Sequence, residues 1–389
     1  MSEMREFLGY PRSDGRVGVR NLVAIIPSCG CANHAAARIA QQVPGAAFVD
    51  YVGGCSETDA DLELAIDVLT GIGHHPNVIG TVLISLGCEA LDARRLAQRI
   101  GAGPSPLEFL VIQEVGGMRR TVERGVAAAR QMASQIALLE RVPCPVSTLT
   151  VGLECGGSDA TSGMAANPAM GAFSDLLVAQ GAQVILAETS ELLGAEHLLA
   201  ERSASPAVRE RLLAAVAECE RFLKATGEDF MNKQPTPGNV RGGISTVEEK
   251  ALGDVLKGGT TPVVEVLAYG QRPTLPGLSF MDTPGNDPAS VTGLVGAGCQ
   301  LVAFTTGRGN PMGNAIAPVL KITGNAATFG RLGEDMDIDA SPIISGKETI
   351  HQVGRRIFEA ALRVASGEQT AAEQGGHAEF AMLRQGPVY

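Results

Sequence analysis

The sequence has no tryptophan, and aromatic residues make up only 4% of its 389 positions. It also has no basic excess: 31 Lys and Arg stand against 42 Asp and Glu, a formal net charge of −11. A phosphate backbone is bound by concentrated basic surface and single strands by aromatic stacking, so both shortages speak against nucleic acid and leave basic residues as local anion clamps. No apolar run approaches the roughly 18 residues of a membrane span. The first ten residues carry Glu3, Arg5 and Glu6 and no apolar block, which fits neither a signal nor a transit peptide, so a soluble, cytoplasmic protein is expected. Two absences concern chemistry. No G-x-G-x-x-G with a downstream acid follows a first strand, which disfavours a nicotinamide dehydrogenase, and no C-x-x-C occurs among the eight cysteines.

What is present is globular: 45% hydrophobic, 19% charged and 48 glycines, at a length that suits two or three domains of about 150 residues. Short β-branched runs alternate with Ala/Leu-rich helical patterns. The strands are expected at Leu22–Ile26, Val82–Leu86, Phe109–Ile112, Thr148–Leu153, Val184–Ala187, Val263–Leu267, Leu301–Thr305 and Val319–Ile322. Helices are expected at Ala32–Val43, Leu91–Ile100, Arg119–Leu139, Ala169–Gln180, Glu191–Arg202, Pro206–Thr226 and Thr349–Ala365. This alternation predicts an α/β fold of two Rossmann-like, mostly parallel-sheet domains, residues 1–145 and 146–389, with functional loops at the carboxyl ends of strands. Val142–Val146, with Pro143 and Pro145, reads as a linker, and the stretch from about Gly375 as a mobile or partner-docked tail.

Several cysteines fall at the ends of apolar runs: Cys31, Cys55, Cys88 and Cys155, with Cys29 as a substitute for Cys31. Strand ends converge in α/β sheets, so these thiols are either small buried hydrophobes or ligands of one iron centre, ferrous iron or an iron–sulfur cluster. Cys144, Cys219 and Cys299 read as structural. The glycine-rich turns Gly156-Gly157-Ser158-Asp159 and Thr306-Gly307-Arg308-Gly309-Asn310 can offer backbone N–H groups to an anion, with Arg308 as a bidentate clamp. Arg16 and Arg20 lie four apart before the first buried strand, on one side of an extended chain, and either grip an anion or are solvated. His197, with Glu196, Glu191 and Glu188 nearby, is a proton-transfer candidate, as is His34. Lys321, inside a strand and before Gly324-Asn325, becomes a base if burial lowers its pKa. His74 and His75 read as a solvent loop, His351 and His377 as peripheral. Ser245 and Glu248 have capping-box spacing, and Asp335, Asp337 and Asp339 form either a cation site or a solvated acidic loop.

The strings Asp14-Gly15-Arg16-Val17-Gly18-Val19-Arg20-Asn21, Cys31-Ala32-Asn33, Leu86-Gly87-Cys88-Glu89, Gly152-Leu153-Glu154-Cys155-Gly156-Gly157-Ser158-Asp159, Ala166-Asn167-Pro168, Gly194-Ala195-Glu196-His197 and Thr306-Gly307-Arg308-Gly309 occur in this order. Together they resemble the altronate and galactarate dehydratase family, which also contains the large subunit of sulfolactate sulfo-lyase. The resemblance implies an iron-dependent lyase acting on a hydroxy acid: a hydro-lyase that dehydrates an aldonate or aldarate, or a carbon–sulfur lyase releasing sulfite from sulfolactate. It implies a separate small β-rich subunit, and hence a homo- or hetero-oligomer. The residues read above fit that chemistry independently, with the metal expected at Cys31, Cys55, Cys88 and Cys155, the base at His197 or Lys321 with Glu196 beside it, and the substrate at Arg20, Gly156, Gly157, Ser158, Asp159, Arg308, Asn310 and Asn325. A non-catalytic structural or regulatory subunit is the competing class.

Overall fold

The structure, a computed structural model, describes residues 5–135, 138–227 and 229–388. The chain opens with an antiparallel pair, β1 (Glu6–Pro11) and β2 (Val17–Gly18). A four-stranded parallel sheet follows from β3 (Leu22–Pro27), β4 (Ala46–Phe48), β5 (Val78–Ser85) and β6 (Leu107–Val111), in the order β4-β3-β5-β6. β7 (Val142–Pro145) then returns to β1, placing Leu8 opposite Pro143 and Glu6 opposite Pro145. The expected linker is thus an edge strand, a place where proline costs no ladder hydrogen bond. The helix expected to reach Leu139 spans Met118–Ser134, and residues 136 and 137 of that reading lie outside the described residues.

The larger sheet has seven parallel strands: β8 (Thr150–Cys155), β9 (Gln183–Leu186), β10 (Val263–Leu267), β11 (Gly277–Met281), β12 (Leu301–Thr305), β13 (Val319–Thr323) and β14 (Ile338–Asp339). Their order is β10-β11-β9-β8-β12-β13-β14, with helices packed against them. The α/β expectation holds, with its apolar runs forming strands buried on both faces, as parallel sheets require. β11, with the sequence Gly-Leu-Ser-Phe-Met, was not anticipated: it has no β-branched residue, and its place between β10 and β9 is set by burial of the whole segment.

The two sheets share a core. Helix Asp59–Gly73 of the first lobe lies against helix Asp287–Gly296 of the second, and Ile66, Leu69, Leu294 and Val302 belong to one apolar cluster. The helices approach closely because both are glycine at the contact: a Cβ on Gly71 would stand 2.1 Å from the carbonyl oxygen of Gly296. His75 is not in a solvent loop. It is buried in this region, one ring nitrogen 3.0 Å from the Cys299 carbonyl and the other accepting from the Asn77 N–H at 3.0 Å.

The stretch after Gly375, expected to be a mobile or partner-docked tail, docks on its own chain. The Gly313 N–H donates to Glu379 at 2.8 Å and the Leu383 N–H to the Tyr269 hydroxyl at 3.3 Å. The N–H groups of Gln385 and Gly386 then donate to the two carboxylate oxygens of Asp61, at 2.6 and 3.0 Å. Phe380, Met382 and Leu383 pack on the shared apolar cluster, which is why the segment settles there. The strap therefore links the loop after β12 to the start of helix Asp59–Gly73.

Candidate active site

In the seven-stranded sheet the chain leaves β8 toward β9 on one side and returns as β12 on the other, so the crevice at the carboxyl ends of β8 and β12 is a topological switch point. The two glycine-rich turns meet there. Gly307 and Arg308 donate their N–H groups to the Gly157 carbonyl at 3.2 and 2.8 Å, and the Gly156 N–H donates to the Thr305 carbonyl at 3.0 Å.

β8 ends in Glu154 and Cys155, which as neighbours in a strand point to opposite faces. On the Glu154 face, strand register aligns Glu154 with Phe304 of β12 and Lys321 of β13. Lys321 is fully buried, its Nζ lies 3.4 Å from the Phe304 ring centroid, and that nitrogen has no hydrogen-bond partner among the described residues. Burial drives its pKa down to about 7, against the opposing pull of Asp287 and Asp337. Glu154 accepts from the Ser290 hydroxyl through Oε2 at 2.6 Å and leaves Oε1 without a partner. Asp287, at the start of helix Asp287–Gly296, accepts from the Asn310 side chain at 2.6 Å, and burial and the charge of Glu188 lift its pKa to about 6. One oxygen each of Glu154, Glu188 and Asp287 lies within 4.8 Å of the others.

On the Cys155 face, the thiol stands 3.0 Å from Asp254 Oδ1, and the Cys155 N–H donates to Glu188 at 2.9 Å. Lys257 is wholly buried and bridges Glu188 and Asp254, 2.5 Å from each. Burial alone would discharge it, but the carboxylates of Asp254 and Glu188 hold it as an ammonium. Cys155, Glu188 and Asp254 have metal-like proximity, yet an ammonium already neutralises them, so this group does not suit an added cation. Burial and the Glu188 charge also push the Cys155 thiol well above its ordinary pKa, so it is a protonated donor. A cavity of ≈ 240 Å³ opens beside it, lined among others by Cys155, Ser158, Ser162, Lys250 and Asp254. Lys250 pairs with Glu191 at 2.7 Å.

The four cysteines expected to share iron fall in two places. Cys155 belongs to the seven-stranded sheet, whereas Cys31, Cys55 and Cys88 are exposed on the three loops that follow β3, β4 and β5. Those loops are tied together: the Gly30 N–H donates to the Gly53 carbonyl at 3.0 Å, the Leu91 N–H to the Gly54 carbonyl at 3.0 Å, and Ser28 to Glu89. Cys29 is buried beneath them, and burial together with the Glu89 charge raises its pKa to about 11, so it is a poor substitute ligand. Among the described residues no three sulfurs of this group lie within 4.8 Å of one another, so they do not converge on a single ion. Three accessible thiols on loops tied to one another are the residues that could hold an iron–sulfur cluster, in which each thiolate takes a different iron.

Other expected site residues take different positions. Arg20 is not open to substrate: its guanidinium donates to both oxygens of Glu373 and to the carbonyls of Val19, Val364 and Glu368, each at 2.8 Å, which fastens the N-terminal segment to the closing helix. Arg16 pairs with Asp14 at 2.6 Å. His197 is exposed on the short helix Glu196–Ala200, and Glu196 accepts from the Gly194 N–H at 2.7 Å; neither joins the buried cluster, although Glu188 and Glu191 do. His34 is exposed. Asp159 accepts from Thr161 and Ser162 and from the Asn325 side chain at 2.7 Å, so Asp159 and Asn325 brace the loops after β8 and β13. Ser158 is buried within 3.9 Å of the Cys155 sulfur. Arg308 is exposed at the rim, near Gly157 and Gly238. Asp337 and Asp339 accept backbone N–H groups of Lys321, Ala371 and Ser341, so they are not a cation site, and helix Val247–Val255 is capped by Thr246 rather than Ser245.

The sequence reading missed Asp254, Lys257, Asp287 and Ser290 as site residues. Asp254 and Lys257, three apart near a helix end, look like a solvated pair, and Asp287 looks like an ordinary first-turn acid. The one available signal was Glu154, a carboxylate inside an apolar strand.

Comparison with known proteins agrees with this architecture. Residues 146–388 match the family model described as D-galactarate/Altronate dehydratase, C-terminal, and residues 9–137 match D-galactarate dehydratase/Altronate hydrolase, second domain. The chain is 38% identical to the (2R)-sulfolactate sulfo-lyase subunit beta of Chromohalobacter salexigens, covering 98% of this chain and 97% of that one. It is 34% identical to the altronate dehydratase of Escherichia coli and 36% identical to its galactarate dehydratase (L-threo-forming), over 98% of this chain and 78% and 77% of theirs. The chain belongs to the galactarate/altronate dehydratase family and is a lyase. Among the described residues no helix is long and apolar enough to cross a membrane.

Proposed function

We propose that the chain removes the β-substituent of a small hydroxy acid, taking the proton α to the carboxylate with Lys321. The observation that carries this reading is a buried lysine with no hydrogen-bond partner among the described residues, brought by burial to a pKa of about 7 so that about half of it is neutral at pH 7, on the strand beside β12 of the switch-point crevice. Lys321 Nζ takes the α-proton, the resulting enediolate expels the β-group, and the enol left behind becomes a 2-keto acid. The turns Gly156–Asp159 and Thr306–Asn310, with Arg308 at the rim, hold the substrate's carboxylate and hydroxyls. Cys31, Cys55 and Cys88 are the proposed iron ligands; when bound, iron supplies positive charge that favours departure of the β-group. Loss of water from an aldonate or aldarate is the first reading, with a small β-rich subunit completing the enzyme. Sulfite release from sulfolactate is the second, favoured by the match along 97% of a relative named as a subunit beta.

The test is anaerobic incubation of the chain, its partner and Fe²⁺ with a panel of aldonates, aldarates and sulfolactate in D₂O, measuring keto acid, sulfite and deuterium exchange. Keto acid without sulfite selects dehydration and the two together select the sulfo-lyase. Lys321→Met should lower kcat/KM by about 10²–10⁴-fold and abolish α-proton exchange. Wild-type exchange in that variant removes Lys321 as the base.

A further inference from the structure

We propose that the cavity at the amino ends of β8, β9 and β12 binds a small oxyanion, a phosphate or carboxylate group, between Arg16 and Arg272. The inference goes beyond the lyase reading, because this is the sheet edge opposite the switch-point crevice. At about 3.3 Å per residue, the six-residue β8 puts roughly 16 Å between the two, so the occupant is an effector rather than the substrate. The cavity holds ≈ 150 Å³, and its wall includes Thr150 at the start of β8, Gln183 at the start of β9 and Gln300 just before β12. Three segments meet there: Arg16 comes from the turn before β2, Pro76 from the turn before β5 and Arg272 from the turn between β10 and β11.

The charge of this wall is unbalanced: it contains both guanidiniums and no carboxylate, in a chain whose net charge is −11. Asp14, outside the wall, pairs with Arg16 through Nε at 2.8 Å and Nη2 at 2.6 Å. Arg16 Nη1 is left buried and without a partner among the described residues. Arg272 donates from Nη2 to the His74 carbonyl at 2.9 Å and meets no carboxylate within 4 Å among the described residues. Partial burial and then the charge of Arg16 bring the Arg272 guanidinium down to about 10, with Asp14 alone opposing them. The residue as a whole is nonetheless exposed, which leaves the mouth of the cavity open to solvent. Arg12 adds a third positive charge nearby, but it donates to the carbonyls of Pro76 and Arg20 at 2.7 and 2.8 Å. The amide side chains of the wall are occupied too, Gln183 with the carbonyls of Pro273 and Leu275 and Gln300 with those of Val17 and Thr148. What remains free is guanidinium N–H, whose fork fits two oxygens of one phosphate or carboxylate. A buried donor without an acceptor is costly, and an oxyanion between the two arginines removes both that cost and their mutual repulsion.

The test is isothermal titration calorimetry of the full chain with inorganic phosphate and, separately, with malonate, at one ionic strength held with sodium chloride and with folding checked by circular dichroism. Wild type should bind one anion in a step that Arg308→Gln leaves intact, because Arg308 belongs to the opposite edge of the sheet. Arg272→Gln should weaken that step at least about tenfold, and Arg16→Lys, which keeps the charge but loses the fork, should weaken it as well. Tighter binding of phosphate assigns a phosphorylated effector, and tighter binding of malonate a carboxylate one. No saturable binding of either anion at millimolar concentration, a step lost in Arg308→Gln, or a step unchanged in a folded Arg272→Gln overturns the site. If Arg272→Gln does not fold, an unchanged step in Arg16→Lys overturns it instead. Binding is measured without substrate or iron, so the site stands or falls apart from the lyase mechanism above.

Discussion

At the scale of single residues, burial decides which ionisable groups matter. His75 is pushed down to about 3 by burial, with lesser effects from neighbouring arginines, so the folded chain refuses a proton that the unfolded chain accepts near pH 6.5. Its folded pKa is the lower one; stability is therefore lost as pH falls from about 6.5 toward 3, at about 1.4 kcal/mol per pH unit. His75→Gln should flatten that slope by one proton in urea unfolding measured from pH 6.5 to 4, and an unchanged slope would contradict the neutral buried ring. The same principle explains how far the sequence could be read. Lys321 stood out because a lysine inside an apolar strand has few fates. Arg20 and His197 did not reveal theirs, since nothing local to Arg20 announces Glu373, 353 residues away, and nothing beside His197 shows that its ring faces solvent.

At the scale of elements, the longer strands with β-branched residues were legible, and strands that depend on a distant partner were not, β1, β4, β7 and β11 among them. β7 is a strand only because β1 lies beside it, and β11 only because β10 and β9 enclose it. The glycine turns after β8 and β12 could be located, but not the fact that they clasp each other, because register between β8 and β12 is a property of the sheet. The helix crossing at Gly71 gives a prediction whose sign separates two effects. Alanine in a helix interior normally gains about 0.5–1 kcal/mol over glycine. Here its Cβ would meet a backbone carbonyl, and overpacking costs typically 1–3 kcal/mol. Gly71→Ala should therefore lower Tm, and a rise would show that the helices can part without cost.

At the scale of the whole molecule, the acidic net charge leaves the site's local chemistry undetermined, since the buried lysines answer particular carboxylates. What binds the lobes is the shared apolar cluster and the strap that crosses both carboxyl edges. Removing residues 377–389 should expose apolar surface, lower Tm and make the segment Asp50–Gly53 more susceptible to limited proteolysis, because these four residues line a cavity of ≈ 290 Å³ together with Phe380–Arg384. Full-length protease resistance after that truncation would show that the strap is dispensable.

The strap also sets an order of events during synthesis. The four-stranded sheet and its helices leave the ribosome before the larger sheet, yet the carboxylate of Asp61, which the Thr58 hydroxyl reaches locally, receives its two backbone N–H donors from Gln385 and Gly386, 324 and 325 residues further along the chain. A contact of that separation closes late in folding. The lobe made earlier of the two is thus finished late, and until then the loop Asp50–Gly53 lies open where Phe380–Arg384 will come to rest.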